Sequence, residues 1–197
     1  MGRKVHGIGV NNADYAVTRY ERVNGRSNQV WMCPYYNIWK HVLARCGSGV
    51  FLKSNPTYEG CYICGDWVYF MTFRSWMMTQ DWEGKELDKD ILVEGNKIYS
   101  PDTCRFVNAK LNTFLTDRNA SRGEWPIGVY YNNHKGKFVA QCQNPFTSKN
   151  DHLGYFTCPE AAHGAWLKRK HELACQWADL QDDIDIAKAL RKRFLPK

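Results

Sequence analysis

The residues best suited to chemistry lie in one stretch, "ELDKDILVEGNKIYSPDTCRFVNAKLNTF", from Glu86 to Phe114. Two carboxylates flank a lysine, Asp88-Lys89-Asp90, a glycine-asparagine loop follows, and Asn112 comes one helical turn into an apolar segment. Cutting a phosphodiester with one divalent ion needs hard oxygen ligands, a general base for water and a scaffold narrow enough to reach the backbone. Asp88 near the end of one strand and Asn112 on a helix after a hairpin could supply such oxygens from two walls. The alternative is that Asp88, Asp90 and Asn112 are ordinary solvated turn residues.

The elements that must position these groups follow from patterning. "KELDKDILV" predicts a strand, "EGNKIYSPDT" a loop with Gly95-Asn96 and Ser100-Pro101 turn signals, "CRFV" a return strand and "NAKLNTFL" a short helix, together a β-β-α unit. Upstream, Asn24-Gly25 marks a hairpin between "YAVTRYERV" and "VWMCP", expected to pack on the residues C-terminal to it. Pro34 opens an amphipathic helix in which Tyr35, Trp39, Val42, Leu43 and Cys46 recur at helical steps, and Gly47 and Gly49 end it. Trp67, Phe70, Met71, Phe73, Trp76 and Met77 give a second helix, whose methionine and aromatic stripe reads as core.

Residues Thr116 to Trp125 are polar and glycine-containing, a linker pattern that places a domain boundary there. Beyond it, "PIGVYY", "GKFVAQCQ" and "DHLGYF" read as three short strands. A long helix starts at Thr157, with Thr157 and Glu160 in capping-box spacing and an apolar face of Ala162, Ala165, Trp166, Leu173, Trp177 and Leu180. "DDIDIAKALRKRF" gives a final short helix with acids at its start and bases at its end. The fold class is α+β, divided into a hairpin extension at 1–30, a β-β-α domain at 31–118, a sheet-and-helix domain at 126–180 and a C-terminal helix at 181–197.

The bulk numbers agree with folded domains. The 197 residues are 44% hydrophobic and 14% aromatic, too apolar for a disordered tail, and no apolar run approaches a membrane span. With no secretory signal pattern at the N-terminus, a cytosolic location is expected. The net charge of +7 favours a polyanionic partner, most commonly nucleic acid.

Eight cysteines in a reducing compartment are either small buried hydrophobes or metal ligands. Cys61 and Cys64 form a C-x-x-C pair, and with Cys46 and Cys104 they could hold a tetrahedral structural zinc; core packing is the equal alternative. Cys33, Cys142, Cys158 and Cys175 have no such spacing and read as packing.

In "GKFVAQCQ", Phe138, Ala140 and Cys142 face one side while Lys137, Val139, Gln141 and Gln143 face the other. The second face is polar and cationic, and a three-stranded sheet is thin enough to enter a major groove.

Two resemblances add to this reading. "W-K-H-V-L-A-R-C", "Y-E-G-C-Y-I-C-G-D-W", "F-R-S-W", "L-D-K-D" and "Y-S-P-D-T-C-R-F-V", in this order from about Trp39 to Asn112, resemble the HNH (His-Me finger) endonucleases carried by bacteriophages. That resemblance implies a ββα-metal nuclease domain using Mg²⁺ or Mn²⁺, with Asp88 as the metal aspartate and Asn112 completing the site. Lys89 stands where the family places its histidine base, and Thr103 where it places a loop asparagine. A lysine of ordinary pKa cannot take a proton from water, so Lys89 reads as a phosphate contact or transition-state stabiliser, leaving Asp90, His41 or a metal-bound hydroxide as bases.

Residues Pro126 to Leu173, through "G-V-Y-Y-N-N-H-K-G-K-F-V-A-Q" and "L-G-Y-F-T-C-P-E-A-A-H-G-A-W", are similar to the Apetala-type, ethylene-response-factor DNA-binding domain. There the sheet reads DNA, which implies Tyr130, Asn132, His134, Lys137, Gln141 and Gln143 as contacts to double-stranded DNA. This copy lacks the arginines that dominate base readout in the plant members.

The expected function is therefore a phage-encoded HNH-type DNA endonuclease, homing or free-standing, in an infected host's cytoplasm. A nuclease-inactive DNA-binding protein and a host-directed interaction protein are the alternatives.

Overall fold

A computed structural model describes residues 4–116 and 124–195. It is mixed α+β, with six α-helices among the described residues and small sheets that include one three-stranded antiparallel sheet. The chain divides into two compact units, Met1–Val107 and Asn108–Lys197. Most of the expected linker, residues 117–123, lies outside the described residues.

The first unit begins with the hairpin β1 (Thr18–Val23) and β2 (Arg26–Met32). Asn24 and Gly25 both take positive φ, 51° and 77°, the type I′ geometry that matches strand twist. Its root enters the core through Val17 and Cys33, but the strands are exposed on both faces, contrary to the expected packing. Helix α1 (Pro34–Gly47) buries Trp39, Val42 and Leu43. Gly49 does not end it: Ser48 is the boundary, accepting a hydrogen bond from Phe51 N as it caps a second helix, α2 (Gly49–Ser54).

Helix α3 (Phe70–Met77) buries Phe70, Phe73 and Met77 as expected, while Trp67, also buried, lies in a separate 3-10 turn before it. The Trp39 indole donates to the Trp67 carbonyl at 2.7 Å, so the largest buried ring leaves no polar atom orphaned.

The strand expected over 85–93 is only β4 (Glu86–Asp88). Asp88 Oδ1 accepts from the amides of Asp90 (2.7 Å) and Ile91 (2.6 Å), a side-chain turn that competes with the ladder and stops the strand. β4 pairs antiparallel with β6 (Arg105–Val107), placing Asp88 opposite Arg105. The intervening loop forms a short strand of its own, β5 (Ile98–Tyr99), parallel to β3 (Tyr62–Ile63) just after Cys61.

The second unit starts with α4 (Ala109–Leu115), capped by the Asn108 side chain on Lys110 N. Its sheet, in the order β7-β8-β9, comprises Val129–Asn132, Lys137–Asn144 and Lys149–Phe156. Helix α5 (Pro159–Asp179) packs on the sheet and α6 (Ile184–Lys192) packs on α5. The capping box does not form: Cys158 is the N-cap, without a side-chain hydrogen bond, so the helix starts one residue later than Thr157 would place it. Ala162, Trp166 and Leu173 are buried as expected, with Ala174 and Ala178 replacing the exposed Leu180.

Gly128 is the tightest point of this unit. Its φ is +78°, and a Cβ there would lie 1.9 Å from the Trp166 ring. Gly128→Ala therefore combines left-handed strain with displacement of a core indole, and is expected to cost at least about 3 kcal/mol in a denaturant titration. A surface-like change under about 0.5 kcal/mol would contradict this packing.

Candidate functional site

The Asp88–Asp90 stretch is held by a loop clasp. Lys89 is buried, and its ammonium donates to Asp90 Oδ2 (2.5 Å) and to the Asn96 carbonyl (2.6 Å), with the Tyr99 ring 6.0 Å away. The Asn96 amide returns the bond, donating to the carbonyls of Lys89 (2.8 Å) and Ile98 (2.7 Å), while its oxygen accepts from Ile98 N. Lys89 thus braces the loop rather than facing a phosphate. Thr103 helps by donating to the Ile98 carbonyl at 2.9 Å.

Asp88 sits inside this clasp. Burial raises its carboxyl pKa, partly offset by the Asp90 and Ile91 amides on Oδ1. Among the described residues Oδ2 accepts no hydrogen bond, and it is not fully buried, which leaves one hard oxygen open. Arg45 of α1 lies near enough to Tyr99 and Asp88 for their electrostatics to couple, which raises its pKa against the effect of burial. His41, one turn earlier on α1, is exposed, and partial burial and the nearby cations Arg45 and Lys40 lower its pKa, which favours the neutral imidazole that can accept a proton. Asn112 lies within α4, which belongs to the second unit.

Among the described residues no three His, Cys, Asp or Glu side chains are arranged to hold a metal ion. Hydrated Mg²⁺ needs less, because it takes one or two protein oxygens and keeps several waters, and the open Asp88 oxygen fits that mode. Cys46, Cys61, Cys64 and Cys104, which the sequence offers as zinc ligands, belong to no such group among the described residues. Burial raises the Cys46 thiol to about 12, helped by neighbouring Cys61 and opposed by Arg45, and burial raises Cys104 to about 12 as well. Burial likewise raises the Cys64 thiol, opposed by the Trp67 and Asp66 backbone. Half-buried Cys46 and buried Cys104 should therefore stay unlabelled by iodoacetamide at pH 8 until the chain is unfolded; fast labelling of either in the native protein would contradict their raised pKa values.

In the second unit, Asp151 fixes the inner sheet face. It sits opposite Cys142 on β8 and its Oδ2 accepts from the Arg169 guanidinium of α5 at 2.9 Å. The outer face carries Tyr130, Val139 and Tyr155 in one cross-strand row, with Gln141 opposite His152 and Gln143 opposite Asn150. A register shift between Ala140 and Gln141 leaves Leu153 unpaired, which turns both His152 and Tyr155 outward, with rings 5.0 Å apart. Lys135 donates to the Tyr155 hydroxyl at 2.9 Å.

Tyr130, His134, Lys137, Gln141 and Gln143 are exposed, as expected of contacts. Asn132 is half-buried and its Oδ1 accepts from Lys135 N, so it shapes the turn. Sequence reasoning missed Lys135, His152 and Tyr155; strict alternation along "DHLGYF" puts His152 and Tyr155 on opposite faces, and only the bulge reunites them. Asp151, on the inner face, is the only carboxylate in the three strands. Beyond Ala140, where β7 has ended, a cleft of about 640 Å³ opens beside β8, lined by Gln141, Gln143, Asn150, Lys110, Trp166 and Lys170.

No model of a known protein family matches the chain, and neither a curated protein nor a solved structure matches it. No helix among the described residues is long and apolar enough to cross a membrane.

Proposed function

We propose that the chain is a DNA-binding endonuclease of the HNH type that uses Mg²⁺ or Mn²⁺ to hydrolyse phosphodiesters in double-stranded DNA. The observation that carries the reading is the outer sheet face, where cations, amides and tyrosines stand together without a carboxylate. Such a face attracts phosphate and offers amide donors and acceptors to base edges.

In the first unit, Asp88 supplies the hard oxygen for the metal; Asn112, which the family resemblance assigns as a ligand, lies in the second unit. A bound divalent ion would contribute Lewis acidity and lower the pKa of its water. The chain's own part is to hold Asp88 Oδ1 rigid with two amides, so that Oδ2 stays oriented. Neutral His41 is the candidate proton acceptor.

A nuclease-inactive DNA-binding protein is the second reading, favoured by one observation: the residue in the place of the family's base, Lys89, is buried and engaged in the loop clasp. Incubation of supercoiled plasmid with the chain and Mg²⁺ or Mn²⁺, beside Asp88→Ala, separates the two. Nicking lost in the variant supports the enzyme. Retained DNA binding with no nicking by either protein supports the second reading.

A further inference from the structure

The hairpin β1–β2 takes no part in the clasp around Asp88 or in the sheet of the second unit. Its root is anchored by Val17, Cys33 and the Cys33 N to Val17 O bond at 2.8 Å, while residues 19–30 are exposed on both faces. A lone two-stranded hairpin in water is marginal, and five residues beyond the root carry it about 17 Å outward at ~3.4 Å per residue. Tyr20, Val23 and Val30 are 57%, 47% and 49% exposed, so large side chains stand in solvent that a partner would cover.

Its composition selects the partner. Arg19, Arg22 and Arg26 face a single carboxylate, Glu21, and neither Arg22 nor Arg26 has an ion-pair partner among the described residues. Arg19 is held over the Trp31 ring at 4.7 Å, which stiffens the root. Arg22 lies opposite Ser27 and Val23 opposite Arg26, next to the type I′ tip, with Asn28 one pair below. A twisted two-stranded ribbon of this length with arginine and amide side chains near its tip matches a major groove about 12 Å wide.

We infer that the β1–β2 ribbon is a second duplex-DNA contact, entering the major groove tip first with Arg22 and Arg26 on phosphates or base edges. This rests on the same partner as the proposed function but on a different surface, in the other unit. Each arginine that neutralises a phosphate adds about 0.9 to the slope of log affinity against log salt.

The test is fluorescence anisotropy of the full chain on a labelled random-sequence duplex over a KCl series. Beside it run Arg22→Ala/Arg26→Ala and a sheet variant, Lys137→Ala/Gln141→Ala. The expected result is a salt slope shallower by about two for the ribbon variant, with its melting temperature unchanged. An unchanged slope in the ribbon variant, with weakened binding in the sheet variant, overturns the ribbon contact and leaves the sheet reading standing. Absence of duplex binding by the unaltered chain overturns both.

Discussion

Asp88→Asn is expected to abolish the proposed Mg²⁺-dependent plasmid nicking yet to leave the chain at least as stable as before. The amide keeps an oxygen for the Asp90 and Ile91 amides, so the turn that ends β4 survives. What it removes is a charge that burial disfavours. The sign follows from that raised pKa: the folded chain holds this proton more tightly than the unfolded one. The stabilising contribution is complete below the ordinary carboxylate range and is lost as pH rises through the folded-state pKa. The stability gap between variant and unaltered chain should accordingly widen in favour of Asp88→Asn as pH rises through that window, then level off.

Nicking should fall by at least about 100-fold, because even outer partners of a metal ligand cost 10–100-fold. Asp88→Ala should lose nicking and also about 1–3 kcal/mol, since two amides lose their acceptor. Equal nicking by Asp88→Asn and the unaltered chain would remove the metal role from this residue.

The second large effect is on folding. Lys89→Ala should cost about 3 kcal/mol, the low end for breaking a buried ion pair, because the Asp90 side chain keeps 37% exposure. Asn96→Ala should cost a similar amount, about 1 kcal/mol for each of its three hydrogen bonds. The two losses should be less than additive, since each residue supports the other across the same loop. Chemical denaturation of the two single variants and the double variant measures this. If Lys89 were a surface phosphate contact, its removal would change stability by no more than about 0.5 kcal/mol and would appear only in DNA affinity.

Regular elements were readable where one periodicity dominated. The helical steps from Tyr35 to Cys46 gave α1, the aromatic stripe gave α3, and three alternating runs gave the second unit's sheet. What escaped depended on side chains acting on backbone. Asp88 reads as one more strand residue, but its carboxylate accepts two amides and ends the strand. Asn96 reads as a turn residue, although its side chain ties Lys89 to Ile98. The parallel pairing of Tyr62–Ile63 with Ile98–Tyr99 involves only two residues per strand, too short for any periodic signal. The bulge at Leu153 does have one local mark, the isolated strand glycine Gly154 at φ 122°.

The candidate site was partly legible for the same reason. Residue types located Asp88 and the amide-rich strand, whereas the burial of Lys89 and the outward turn of His152 and Tyr155 are products of tertiary register.

A titration of Mn²⁺ into the full chain, followed by electron paramagnetic resonance of the unbound ion, tests the metal role of Asp88 most directly. The expected result is one Mn²⁺ taken up per chain and none by Asp88→Asn. Equal uptake by both proteins, or none by either, would contradict it.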